Sequence, residues 1–314
     1  PEVINPGTPS KLKKRDFVMN HMITSKKFQK IGYGKYHMID APIPANSHVY
    51  KPYKLTRAER KEYECDICFV CHASDVDNYI LEQVKMYPEG IREEIMSIYK
   101  GYQQYVYETG EFFYSRETFA LYIEGAFLQH YRKRINGNLL VHLAEDMYLW
   151  FNQRVYRQVL ADWILDAGFT NIKLWGNGWM DNEKYGAYAM GPAENGEVLS
   201  KIYQASKVVI GNNITSTGAA RAWESMLSGA FYMSNYIPSE ADITDIRQII
   251  EINKDVVMFY NKEDLIKKLH YYLEHEQERQ KMIERGRKVA LEKMTFDRLM
   301  KKVLDTVAEC LEGE

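Results

Sequence analysis

The chain has 314 residues, enough for two domains of ordinary size or one domain with a large insertion, and its 46% apolar and 27% charged composition leaves little room for extended disorder. Forty-one Lys plus Arg against 43 Asp plus Glu give a formal net charge of -2, without the basic excess of a dedicated nucleic-acid binder. No apolar run approaches the roughly 20 residues of a helical membrane span and the opening lacks a signal-peptide centre, so a cytoplasmic protein without a transmembrane segment is expected. The first residue is Pro1, which fits a processed product or an excerpt of a longer chain.

Residues 1–60 read as an irregular remnant or linker, with an extended stretch from Tyr36 to Pro44 followed by polar, proline-marked sequence. A short apolar run over 66–71 then predicts a buried strand. It carries Cys65, Cys68 and Cys71, with His72 next, a spacing that superficially matches covalent haem attachment or part of a zinc or iron–sulfur site. Strand alternation sends Cys65 and Cys71 to one face and Cys68 to the other, and Ser74 stands where a fourth ligand would fall. Buried thiols are expected, with no metal. Residues 77–165 repeat apolar positions at intervals of three and four, as in Phe119, Tyr122, Ile123 and Phe127, and predict a helical insertion whose many tyrosines serve packing.

From Ala167 the pattern alternates. Strands are predicted at 171–175, 207–211, 230–234 and 255–260, with helices near 195–205 and 218–228, which implies a parallel sheet covered on both faces. Three terminal helices follow. One apolar stripe holds Leu265, Ile266, Leu269, Tyr272 and Leu273, and the last holds Phe296, Leu299, Met300, Val303 and Leu304 after a Thr295 cap; both are read as packing faces. Gly286, Arg287 and Lys288 are read as a solvated face.

In such a sheet, ligands bind beyond the carboxyl ends of the strands. The loop Gly176-Asn177-Gly178-Trp179 offers two glycines, which suit either close approach to a ligand or a tight turn. After the strand at 207–211 come Asn212 and Asn213, then a helix start near Gly218 with Ser216 or Thr217 as cap, whose exposed N–H groups suit phosphate. Arg221 and Glu224 are three apart on one helix face; they can reach one ligand, a diphosphate and a ribose diol, or form an ordinary ion pair.

The segment RAWESMLSGAF resembles the R-x-x-E-x-x-x-x-G helix of group 1 glycosyltransferases, particularly the spore-maturation (CgeB-like) branch. IKLWGNGW, GPAENGEVLSKIYQASKVVIGNN and the stretch from Asp255 to Leu299 are similar to flanking parts of that branch, and YECDICFVCHAS to its first strand. The resemblance covers 63–74 and about 150–305, and implies an α/β GT-B-like fold. In it, 61–76 and 166–314 form a Rossmann-like nucleotide-sugar-binding domain, 77–165 a large helical insertion and 1–60 a short or incomplete N-terminal domain. It also implies transfer of a hexose from a nucleoside-diphosphate sugar, a substrate and not a cofactor, to a glycan or protein acceptor, with no nucleic-acid partner. Glu224 then matches the residue on the donor ribose and Arg221 the arginine one turn earlier. Gly176, Asn177 and Gly178 match the loop beside the base, and Asn212, Asn213 and Gly218 face the sugar diphosphate. The chain departs from many retaining relatives in carrying Ser216 where they have a second glutamate, and it shows no lysine after the first strand to hold phosphate.

His72 and Asp75, just beyond the first strand, are the local candidates for deprotonating an acceptor. Two other readings stay open. Asp75-Val-Asp77 forms the DxD of metal-dependent GT-A transferases, or caps the next helix. A domain that binds nucleotide sugar without turnover is the non-enzymatic reading.

Overall fold

A computed structural model of the protein describes residues 13, 15–21, 29–30, 32–34, 38–211, 213–214, 220–238 and 245–312. Strands β1 (Val18–Asn20) and β2 (Met38–Asp40) pair in parallel as a small separate sheet, and α1 (Arg57–Tyr63) starts on a Thr56/Glu59 capping box. The main sheet begins with β3 (Cys65–Val70) and continues through β4 (Ile172–Trp175), β5 (Ala189–Gly191), β6 (Ser206–Ile210), β7 (Tyr232–Asn235) and β8 (Val257–Phe259). Its order is β5-β4-β3-β6-β7-β8, every pair parallel, the doubly wound arrangement of dinucleotide-binding folds.

Between β3 and β4 the chain leaves the sheet for α2 (Val76–Lys85), α3 (Arg92–Thr109), α4 (Arg116–Tyr131), α5 (Gly137–Asp146) and α6 (Asn152–Asp166). A π turn over Met147–Phe151 joins α5 to α6. These helices and α9 (Lys262–Glu274) cover the sheet face bearing Ile67, Phe69, Val208, Ile210 and Val257. The opposite face, with Cys68, Val70, Val209 and Met258, lies under α7 (Glu197–Ala205), α8 (Ala220–Leu227) and α10 (Glu276–Lys293). Alternating side chains with both faces covered explain why the strands are short and almost wholly apolar.

The tyrosines of the insertion pack and also close polar accounts inside it. Tyr102 sits among Phe113, Phe119 and Phe151 while its hydroxyl donates to Asn152 Oδ1 at 2.6 Å. Tyr79 and Tyr99 both donate to the buried Asp146, at 2.7 and 2.5 Å. Burial beside that carboxylate pushes both phenols well above the usual range, so they remain neutral donors.

Three expectations are corrected. Cys65 shares a face with Cys68, not with Cys71: Asp66 and Ile67 both donate their N–H to Asn171 O, a bulge that interrupts the alternation. All three thiols are nevertheless buried. Gly286 is not on a solvated face; a Cβ there would lie 2.6 Å from Asp255 O, so the glycine lets α10 press on the loop before β8, and Arg287 Nε donates to Leu227 O. Finally, α11 (Phe296–Glu312) buries Leu299 but leaves Phe296, Met300 and Leu304 exposed, because periodicity specifies a stripe and not what the stripe meets.

Candidate functional site

The strand order reverses between β3 and β6, and the crevice of a doubly wound sheet opens there, outside the carboxyl ends. The segments at that rim are 71–75, 176–179, residues 211, 213 and 214, and the first turn of α8. The first turns of α6 join them, because α6 runs back toward the amino end of β4, so its own start lies at the carboxyl rim.

Arg221 is half-buried in the first turn of α8, and its Nη1 donates to the Val70 carbonyl at the end of β3. Glu224 is half-buried one turn on. Burial pushes its carboxyl above the ordinary value, while Arg221 and the Tyr50 hydroxyl pull it the other way. Tyr50, brought in from the segment before α1, is itself pushed up to about 12 by burial and by the Glu224 charge. The two residues expected to share a helix face thus do so at the rim, and Glu224 already receives one hydroxyl.

The loop at 176–179 is tied to the end of β3. Trp179 Nε1 donates to Cys71 O at 2.6 Å, Ala73 N–H donates to Asn177 O at 2.9 Å, and Asn177 N–H donates to His72 Nδ1 at 3.1 Å. Gly176 has φ of +138°, and a Cβ there would stand 2.1 Å from Cys71 O. This glycine admits the protein's own backbone. Asn177 and Gly178 are exposed on the rim. The neutral tautomer of His72 that accepts from Asn177 carries its proton on Nε2.

Asp75 is exposed and caps α2, with Oδ1 accepting from Asn78 N–H at 2.9 Å; Asp77 is exposed in the first turn. Among the described residues no group of three His, Cys, Asp or Glu side chains is placed to hold a metal ion, and no helix is long and apolar enough to cross a membrane. Asn213 is half-buried beside Ile214. Asn212, Ser216, Thr217 and Gly218 lie outside the described residues.

The sequence reading missed the start of α6. Gln153 Oε1 accepts from Ile214 N–H at 3.3 Å, joining α6 to the loop after β6. One turn further in, Arg157 is half-buried near Cys71, with Arg154 and Arg221 close enough to oppose its charge; burial lowers its pKa first and the two cations add to that. Its Nε is buried without a hydrogen-bond partner among the described residues. A buried, unsatisfied charged donor is costly, and an anion between Arg157 and Arg221 would relieve both the missing bond and the mutual repulsion. The available signal was the pair Arg154 and Arg157, three apart on the last helix before β4.

No curated protein matches the chain. Solved structures similar to it include a glycosyltransferase from Rickettsia africae ESF-5, at 11% identity and TM-score 0.48, covering 96% of this chain and 65% of that one. Anabaena Alr3699/HepE in complex with UDP and glucose is similar at 9% identity and TM-score 0.47, over 97% of this chain and 70% of that one. TarM is similar at 11% identity and TM-score 0.46, over 96% of this chain and 45% of that one. This chain therefore spans less than two thirds of the length of the first and third of these structures. Residues 153–305, just under half of the chain and including Arg154, Arg157, Arg221 and Glu224, match the model of a family described as glycosyl transferase-like.

Proposed function

We propose that the protein transfers a sugar from a nucleoside-diphosphate sugar to an acceptor hydroxyl, and that the β3/β6 crevice holds the donor. The observation that carries this reading is the buried, unpartnered Nε of Arg157 at the switch point of a parallel sheet, where Arg221 is held on the Val70 carbonyl. The match over 153–305 to glycosyl transferase-like sequences supports it. In this reading the two guanidinium groups and the start of α8 neutralise the diphosphate as it leaves the anomeric carbon. Glu224 accepts from the ribose hydroxyls with the lone pairs that Tyr50 leaves open.

His72 and Asp75 are the proposed residues on the acceptor side. Because His72 presents Nε2–H, it orients a phosphate or the acceptor hydroxyl. Asp75, exposed and engaged in its cap through Oδ1, takes the acceptor proton. We further read the sheet domain as the donor half of a GT-B arrangement of the spore-maturation branch, moving a hexose. In this reading α2 to α5 serve the acceptor side.

A thermal-shift series with UDP, GDP, ADP and TDP and their sugars tests the donor site. A ligand at 100 times its Kd adds about 2.7 kcal/mol to apparent stability. At least one nucleotide is expected to raise Tm, and Arg157→Ala to abolish the rise; no shift with any of them would refute the reading.

A further inference from the structure

The rod formed by α5, the π turn and α6 carries Trp150, Arg154 and Arg157 at intervals of four and three residues, which places them along one helix face. Arg157 is half-buried, with its Nε shut off from solvent. Because α6 starts at the carboxyl rim, Trp150 stands outward of Arg157 by roughly 10 Å, at about 1.5 Å per residue. Its neighbours Met147, Tyr148 and Phe151 are buried, yet Trp150 is 58% exposed. The π turn that presents it is an uncommon element, frequent at functional sites.

The backbone that carries the indole is tied down. Arg154 Nη1 donates to Trp150 O at 3.0 Å, and the Arg154 guanidinium lies 4.1 Å above the Tyr79 ring. Tyr79 in turn stacks on Phe151 at 6.0 Å and donates to Asp146. A large amphipathic ring is thus displayed on a rigid mount, on the same helix face as Arg157 and about two turns from it.

We infer that Trp150 is the acceptor platform of this protein and that the acceptor is a carbohydrate, whose pyranose ring stacks on the indole. The flat C–H face of a sugar ring matches an exposed indole in polarity and size. This inference rests on the donor reading above for the direction of transfer, but not for the binding itself.

The test uses the full chain on an array of neutral and anionic oligosaccharides, with the thermal shift by UDP, GDP, ADP and TDP measured in parallel. Wild type is expected to bind at least one oligosaccharide class. Trp150→Phe should keep that binding and Trp150→Ala should lose it by about tenfold, the nucleotide-induced rise in Tm being the same in all three. Equal glycan binding by Trp150→Ala overturns the platform, as does a wild type that binds no oligosaccharide while a nucleotide still raises Tm. Glycan binding that depends on Trp150, with no nucleotide effect on Tm, overturns the donor reading and leaves the platform standing. Absence of both overturns both.

Discussion

The two ends of α6 are built on opposite terms. Toward its end, the buried Asp162 accepts from Tyr107 at 2.7 Å and Tyr185 at 2.8 Å and pairs with Lys184 at 2.5 Å, so a carboxylate taken out of water has partners on three sides. Toward its start, Arg157 is taken out of water with an Nε that has no partner among the described residues and with other arginines nearby. One end of the helix is satisfied by the protein and fastens the insertion to the loop before β5. The other carries a charge the protein leaves uncompensated, which is how binding sites differ from stabilising polar clusters.

The contrast is sharpest in the response to deletion. Asp162→Ala orphans two phenol hydroxyls and leaves the Lys184 ammonium to Asp166 alone, and is expected to cost about 2 to 5 kcal/mol of stability in urea unfolding. Arg157→Ala removes an unsatisfied charge and is expected to leave unfolding stability unchanged or improved, while weakening nucleoside-diphosphate binding by about 2 to 5 kcal/mol in calorimetry. An Arg157→Ala variant as unstable as Asp162→Ala would break the comparison, because the arginine would then be part of the packing.

Glu224 extends the comparison with a smaller effect. Glu224→Gln should weaken donor binding by about 1 to 3 kcal/mol, the range for hydrogen bonds to a charged group. Its effect on stability has the opposite sign. Burial holds the Glu224 carboxyl above the usual value, so the folded protein binds that proton more tightly than the unfolded chain does. The resulting stability is complete below the ordinary glutamate pKa of about 4.3 and is lost as pH rises through the raised folded value. Glutamine stays neutral, so Glu224→Gln should gain on the wild type in Tm as the pH is raised from about 4 to 7. A Tm difference that does not vary with pH would exclude this account of Glu224. The smallest effect is expected from Tyr50→Phe: it removes one donor to Glu224 and should change stability by less than about 1 kcal/mol, read in the same unfolding experiment.

Much of the sheet was legible in the sequence. The runs IKLW, SKVVI and VMF announced strands by being short, apolar and bracketed by polar residues, and their ends fell within about two residues of the expected ones. The three-residue β5 was too short to show a period and was not among the strands expected from the pattern. Less of the site was legible. Arg221 and Glu224 stood out because they share one helix with a recognisable spacing. Arg157 did not, because its relevance depends on the direction in which α6 enters the sheet and on a neighbour brought from α8. The glycines at 176 and 178 announced a turn, but only the approach of Cys71 O revealed that Gly176 accommodates the chain's own backbone.

Local periodicity therefore determined the class of fold and the faces of most helices, since each depends on residues within a turn or two of one another. Tertiary structure decided which of those faces is covered, as α11 shows, and which charges share the rim. Burial and electrostatic proximity arise between segments that the sequence keeps apart, so the buried Nε of Arg157, and the hydroxyl of Tyr50 beside Glu224, could be read only once the chain had folded.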